Sequence, residues 1–274
     1  MAKETKYEDI RNHIEITEGV AIQEGYKPLR KFGRGICYAK ETKTVLMTQA
    51  TSVLDVEAHT TANLVDTISC TAANTAVLGI EGFTIDTSGD LTFVSQDATL
   101  SGTTGVTLGT PLNTVTRMYV KEGTFASPSV PCTMNVYCTE STNGGLTAGL
   151  PSTLADTKTV MPANINQTEK ALTAADKDQY IAITGVDASL PEGASPTGTA
   201  AADISLEIKR KGGVYRPVGL EAAVGAQQRT ASIKFDPPVV VPPSAYVRLV
   251  ASASTLDLTV AGAMNGVVFR KQGT

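Results

Sequence analysis

The chain has 274 residues, of which 42% are hydrophobic and 18% charged, with a net charge of −4 and a pI near 5.3. Proteins usually carry about 25% charged residues, so uncharged polar residues must cover much of this surface. The acidic balance argues against a protein that binds nucleic acid by neutralising phosphates. The absence of Trp argues against an aromatic platform as the main binding surface.

Membrane insertion and secretion also lack a sequence signal. No window holds the roughly 20 apolar residues that cross a bilayer, and Met1–Asp9 lacks the apolar core of a signal peptide. We therefore expect folding in the cytosol. Cys132 and Cys138 would lie roughly 20 Å apart in a straight strand, too far to bridge each other. Cys37 and Cys70 could pair across the fold, but free, buried thiols are the favoured expectation for a reduced cytosolic protein.

The first 35 residues carry a large share of the charge and are predicted to form an arm. Tyr7, Ile10 and Ile14 would line one face of a short helix, whereas Ile14 and Ile16 fit a strand equally well. The arm is therefore expected to be extended or partly helical. It either remains solvated or docks on a partner.

The remainder is predicted to be all-β. Short runs of alternating apolar residues are separated by Gly, Pro, Asn, Asp and Ser, which is typical of an antiparallel, jelly-roll-like β-sandwich. The alternation is weaker in residues 36–143 and stronger in residues 176–274. Residues 144–175 are rich in Ala, Thr, Pro and Asn and are predicted to connect these two β units. Three glycine motifs predict hairpin turns: Asn143–Gly145, Lys211–Gly213 and Asn265–Gly266.

The sequence contains few candidates for catalytic residues. It has two histidines and no nucleotide-binding, nucleophile-elbow or zinc-protease motif. His13 lies in the arm. Asp55, Glu57 and His59 would share one face of a strand, where a divalent cation is possible but a solvated face is the favoured interpretation. We therefore expect a non-enzymatic protein with no catalytic residue, metal or cofactor.

Two charged segments have simple interpretations. Asp86–Asp90 surrounds a glycine but lacks the later Glu of a calcium loop, so it predicts a hairpin turn. Lys209–Lys211 and Arg216 form the one dense basic patch of the sequence. This patch predicts either a solvated hairpin tip or a contact with an acidic partner surface.

The run Ile233–Leu249 resembles a pattern seen in viral and phage β-sandwich proteins, in which a Pro-bearing connection crosses the top of the sandwich between two strands. Pro237-Pro238 and Pro242-Pro243 lack N–H donors. They therefore confine Val239–Val241 to an edge strand or to a crossover between sheets.

Together with the charged arm and the Thr- and Ala-rich body, the chain resembles a capsid decoration, or cement, protein of tailed bacteriophages. The resemblance implies a homotrimer on the virion surface, made in the host cytoplasm, that binds the major capsid protein and itself but no nucleic acid or membrane. In this hypothesis the arm grips the capsid through Tyr7, Ile10, Ile14, Arg30, Lys31 and Arg34. The alternatives are a tail, neck or fibre subunit, or a carbohydrate- or receptor-binding module.

Overall fold

The structure is a computed structural model. It describes residues 27–37, 44–45, 64–72, 75–122, 134–137, 146–151, 157–161, 167–190, 201–225, 228–253 and 258–270. Every regular element within these ranges is a β-strand.

The strands are numbered here in chain order. They are β1 (Lys27–Cys37), β2 (Thr44–Val45), β3 (Val65–Cys70), β4 (Val77–Ile85), β5 (Leu91–Thr99), β6 (Val106–Leu112), β7 (Thr114–Glu122), β8 (Met134–Tyr137), β9 (Leu146–Thr147), β10 (Leu150–Pro151), β11 (Thr157–Met161), β12 (Gln167–Glu169), β13 (Leu172–Ala174), β14 (Gln179–Ser189), β15 (Ala201–Lys209), β16 (Arg216–Gly225), β17 (Thr230–Val241), β18 (Tyr246–Ala253) and β19 (Leu258–Arg270).

The chain divides into two compact units, and unit 1 comprises residues 1–46 and 171–274. Its two antiparallel sheets have the strand orders β1-β19-β14-β17 and β13-β18-β15-β16, and β2 also pairs with β18. Apart from the β15–β16 hairpin and the in-line strands β2 and β13, successive strands alternate between the two sheets, which is the strand order of a jelly roll. The prediction of an all-β, antiparallel, jelly-roll-like sandwich is thereby confirmed.

The interior of unit 1 is filled by apolar side chains. The alternating residues predicted from the sequence point inward, because every second residue of a strand faces the same side. Members of this core that are at most 2% exposed include Ile181, Ile183, Ile204, Leu206, Val247, Leu249, Val260 and Met264. Burial of these side chains supplies most of the favourable free energy of folding.

Unit 1 has an interrupted edge strand. The short β2 and β13 both pair antiparallel with the same edge of β18, where Val45 faces Val250 and Leu172 faces Arg248. The two strands therefore lie in line. Residues 47–170 are inserted where a single continuous strand would otherwise run.

Unit 2 comprises residues 47–170. It contains two antiparallel sheets, with orders β11-β8-β3-β6 and β12-β7-β4-β5, and the small β9-β10 hairpin. Its own core includes Val65, Ile68, Leu78, Ile80, Leu112, Val115, Met118 and Met161. Two separate apolar cores explain why the alternation of the sequence falls into two sets.

The predicted turn at Asp86–Asp90 joins β4 and β5. The Oδ1 atom of Asp86 accepts hydrogen bonds from the amides of Ser88 at 2.8 Å and Asp90 at 2.9 Å. Gly89 has a φ of 81°, which glycine adopts without strain. The hairpin interpretation of this acidic segment is confirmed.

The predicted division of the chain differs from the observed one. The arm, residues 1–35, was expected to be separate, but β1 pairs along its whole length with β19. Residues 144–175 were expected to connect two units, yet they hold β9 to β13, which belong to both. The predicted units 36–143 and 176–274 therefore do not match the compact units. Pairing between distant strands, which local pattern does not reveal, sets the boundaries.

The cysteines and one glycine motif also need correction. Cys70 is disulfide-bonded rather than free, and the side chains of the other cysteines lie outside the described residues. Asn265 and Gly266 lie within β19, not in a hairpin turn. A Cβ on Gly266 would overlap the carbonyl oxygen of Ala182 on β14. Glycine is required there by the close approach of two backbones.

The proline-rich segment is as predicted. Pro237 and Pro238 lie in β17, which is an edge strand of its sheet. Pro242 and Pro243 lie between β17 and β18, which belong to different sheets. Because prolines have no N–H to donate, an edge and a crossover are the places where they cost least.

Substitution of Gly266 by Ala should destabilise the protein by about 1–3 kcal/mol, because the added methyl group meets backbone that cannot move aside. Gly109→Ala is the matched control, since its added Cβ would have only an ordinary contact, 3.5 Å from Oε1 of Gln96. Urea denaturation measures both. Equal effects of the two substitutions would contradict the role given to Gly266.

Replacement of residues 47–170 by a short Gly/Ser linker should leave unit 1 folded. Val45 and Leu172 face positions two residues apart on β18, so a linker of about four residues spans the gap of roughly 7 Å. We expect β-rich circular dichroism and cooperative thermal unfolding. Removal of the central strand β15 is the control that should abolish folding. Aggregation of the linker variant would show that unit 1 depends on the insertion.

Candidate interaction surface

The basic patch predicted from the sequence lies at the hairpin between β15 and β16. The amide of Gly213 donates to the carbonyl of Arg210 at 2.8 Å, and Gly212 has a φ of 69°. This turn places Arg210 at one end of the loop and Arg216 at the first position of the returning strand. The prediction of a basic hairpin tip is confirmed.

A groove of about 500 Å³ lies between this hairpin and the end of β17, within unit 1. Its apolar lining consists of Ile208, Val214 and Val218 from the hairpin side and Val239, Val240 and Pro242 from the β17 side. Val214 is 67% exposed, which is unusual for a branched apolar side chain. The groove thus offers apolar surface to solvent or to a bound segment.

The rim of the groove is positively charged. Arg210 and Arg216 both line it and both are exposed. Within the part of the chain that the structure describes, neither guanidinium forms an ion pair or a side-chain hydrogen bond. Apolar walls under an uncompensated positive rim favour a ligand that is apolar on one side and acidic on the other.

The hairpin wall is held in place by a stack of charged and aromatic groups. The guanidinium carbon of Arg248 lies 3.6 Å from the ring centroid of Tyr215, close enough for a cation–π interaction. Arg248 also donates to the Oε2 atom of the buried Glu207 at 2.9 Å. Arg248 belongs to β18 and Tyr215 to the hairpin, so the stack ties the hairpin to the body of the sheet.

A second exposed patch lies on the edge strand β1. Arg30, Phe32 and Arg34 alternate along this strand, share its outward face and are all exposed, with Phe32 39% exposed. An exposed Phe between two arginines is typical of contact surfaces, where aromatic and Arg side chains are enriched. We call these three residues the β1 patch.

The residues predicted to bind a partner are only in part brought together. Arg30 and Arg34 lie in the β1 patch, but Lys31 points to the opposite face, where it pairs in register with the core residue Met264. Tyr7, Ile10 and Ile14 lie outside the described residues. Their part in binding stays a prediction.

Metal binding gains no support from the described ranges, in which no group of three or more His, Cys, Asp or Glu side chains is placed to hold an ion. Asp55, Glu57, His59 and His13 lie outside those ranges. Within the same ranges, no helix is long and apolar enough to cross a membrane.

The cations of the groove are recognisable from the sequence, but the assembly of its apolar wall is not. Arg210 and Arg216 are close in sequence and stand out as a basic run. Val239 and Val240 meet them only because β16 and β17 are the edge strands of facing sheets. The run of three valines between two proline pairs was the only local sign of an exposed apolar strand.

Comparisons with known proteins return only distant structural likenesses. No family model matches the chain, and no curated protein does. A chain in the structure of the infectious bursal disease virus Gx strain is 10% identical, with a TM-score of 0.25, over 91% of this chain and 73% of that one. The VP2 subviral particle of the same virus is 9% identical, with a TM-score of 0.20, over 91% and 77%. TM-scores this low carry no inference about fold or function.

Substitution of Glu207 by Gln should lower the free energy of unfolding by about 2–3 kcal/mol, because it leaves the partly buried Arg248 charge without its carboxylate. The control is Asp97→Asn, which breaks the exposed ion pair with Lys121 and should cost less than about 1 kcal/mol. Urea denaturation of both variants checks the difference. A Glu207 variant as stable as the control would exclude the stack as an anchor of the hairpin.

Proposed function

We propose that the chain is a non-enzymatic virion structural protein, and specifically a decoration protein that binds the outside of a bacteriophage capsid. The observation that carries the proposal is the jelly-roll strand order of unit 1. This architecture is used by viral capsid proteins, lectins and cupins. Since a fold alone does not fix function, the choice among these classes depends on the surfaces and the interior.

The interior of unit 1 disfavours cupin-like chemistry. Cupins bind their ligands inside the jelly roll, whereas this interior is occupied by Ile, Leu, Val and Met side chains. Function is therefore expected on the outside of the sandwich, which supports a protein that acts through contacts with other subunits.

The surface favours binding to protein over binding to sugar. The chain has no Trp, and lectins rely on aromatic rings that stack on sugars. The exposed features of the jelly roll are an apolar groove with a basic rim and the β1 patch. Apolar, aromatic and Arg side chains of this kind are enriched at protein interfaces.

The test is binding to shells assembled from the major capsid protein encoded in the same phage genome. We expect saturable co-sedimentation at a fixed stoichiometry and a higher melting temperature of the decorated shells, since a ligand stabilises the state to which it binds. The absence of co-sedimentation would overturn the decoration role. Rings or stacked tubes of the purified chain under the electron microscope would indicate a tail or neck subunit instead.

The contribution of the β1 patch is tested by Arg30→Glu with Arg34→Glu. If these arginines contact the capsid, the double reversal should weaken binding by about 10-fold or more, since two ion pairs become repulsive. Lys234→Glu is the matched control, because Lys234 is an exposed cation on the opposite edge strand of the same sheet. Equal binding by both variants would remove the β1 patch from the interface.

A further inference from the structure

We propose that the groove of unit 1 is a docking site for an extended segment of another protein, in which apolar residues alternate with Asp or Glu. The inference concerns the groove alone, so it holds or fails independently of the proposed virion role. It follows from the contact of the groove with the core, the charge and spacing of its two arginines, and the prolines of β17.

The apolar lining of the groove is continuous with the core of unit 1. Ile208 is itself a buried core residue, and Val218 and Val239 pack against the core while they line the groove. The exposed Val214 extends this apolar surface to the hairpin. Apolar side chains of a bound segment would therefore be removed from water against residues that the fold already holds in place.

The hairpin concentrates positive charge in an acidic protein. Residues 209–218 contain four cations and no carboxylate, whereas the whole chain has a net charge of −4. Arg210 and Arg216 line the groove, and among the described residues neither guanidinium has an ion-pair partner. Such a site attracts carboxylates and repels cations. None of the described residues that line the groove is aromatic, so a nucleic acid would find no ring on which to stack its bases.

The spacing of the two arginines fits an extended segment. Arg216 pairs in register with Ile208, and Arg210 follows Ile208 by two residues. The arginines are therefore diagonal neighbours, with Cα atoms about 7–8 Å apart. In an extended chain, two carboxylate residues separated by one other residue lie roughly 6.6 Å apart and point to the same side. The residues between and beside them point to the opposite side, so the pattern that fits is apolar-acidic-apolar-acidic-apolar.

The prolines of β17 favour recognition through side chains over the addition of a strand. β17 is an edge strand, but the pairs Pro237-Pro238 and Pro242-Pro243 leave only Val239–Val241 with backbone N–H groups between them. Since alternate residues of a strand direct their N–H groups to the same edge, at most two of these three can face the groove. A bound segment cannot form a full ladder there, and its affinity must come from side chains.

Fluorescence anisotropy with a designed peptide tests the specificity of the groove. The probe is a fluorescein-labelled peptide with the core sequence Val-Glu-Val-Glu-Val, and we expect it to bind the full chain saturably. One control peptide has Lys in place of both Glu, and the other has Ser in place of all three Val. Each control should bind about 10-fold more weakly or worse. Absence of saturable binding of the probe up to about 1 mM would overturn the proposal.

Charge reversal tests the site. Arg210→Glu with Arg216→Glu should weaken binding of the probe by about 10-fold or more, and it should strengthen binding of the Lys peptide. Lys234→Glu is the matched control, because Lys234 is an exposed cation of unit 1 that does not line the groove. It should leave both affinities unchanged. A probe affinity that does not respond to the double reversal would overturn the assignment to the groove.

Photo-crosslinking of the unmodified chain keeps the site testable if the double variant is unstable. A benzoyl-phenylalanine in place of the central Val of the probe should, on irradiation, become joined to residues 208–218 or 239–242, as located by mass spectrometry. Crosslinks confined to other residues would contradict the proposed site.

Two further results would assign the groove to a different occupant and so overturn the proposal. One is a fluorescein-labelled oligothymidine that binds the chain and is displaced by the probe, which would indicate a nucleic acid. The other is a dimer of the chain that dissociates when the probe is added, as judged by analytical ultracentrifugation, which would indicate a second copy. We expect neither oligothymidine binding nor such a dissociation.

Discussion

The pairing of β18 on both of its edges is the constraint on which unit 1 depends. One edge is filled by β15. The other is filled by β2 and β13 in line, and between them the amide of Leu249 donates to the carbonyl of Ala171 at 2.8 Å. A buried backbone N–H without a partner costs free energy comparable to a lost hydrogen bond. The chain must therefore return to β18 directly after unit 2, which explains how a whole sandwich is accommodated within one edge strand.

The same strand also determines the shape of the groove. Arg248 of β18 pairs in register with Glu207 and stacks on Tyr215 of the hairpin. The position of the hairpin, and with it one wall of the groove, is thereby fixed relative to the sheet. The opposite wall is the end of β17, from which the chain crosses through Pro242 and Pro243 into β18. Both walls are thus anchored to β18, and a groove held in this way can bind a segment without first becoming ordered.

The parts of the fold that follow from neighbouring residues were predictable. Alternation of Ile204, Leu206 and Ile208 predicted β15, and the glycines of Lys211–Gly213 and Asp86–Asp90 predicted two hairpin turns. Strands of this kind carry their own period of two, and tight turns require residues that tolerate positive φ. Both the alternation and the turn residues can be recognised from neighbouring positions alone, without knowing which strands pair.

The features that depend on distant pairing were not predictable. Nothing near Thr44 and Val45 indicates that they join β18, some 200 residues later in the chain. For the same reason the sequence predicts two consecutive units, whereas one unit is inserted into the other. Asn265-Gly266 has the composition of a hairpin turn, but its glycine serves the close approach of β14. The basic residues of the groove were found and its valines were not, because only the topology brings them together.

The two exposed features of unit 1 lie on opposite edges of one sheet, and the register links them. The β1 patch lies on the strand that begins at Lys27, while the groove lies beside the end of β17 at the same level. A partner that reached both would contact surfaces already held in place by the pairing of β1, β19, β14 and β17. Since conformational freedom next to an interface must be given up on binding, surfaces held in this way lose little of it when a partner binds.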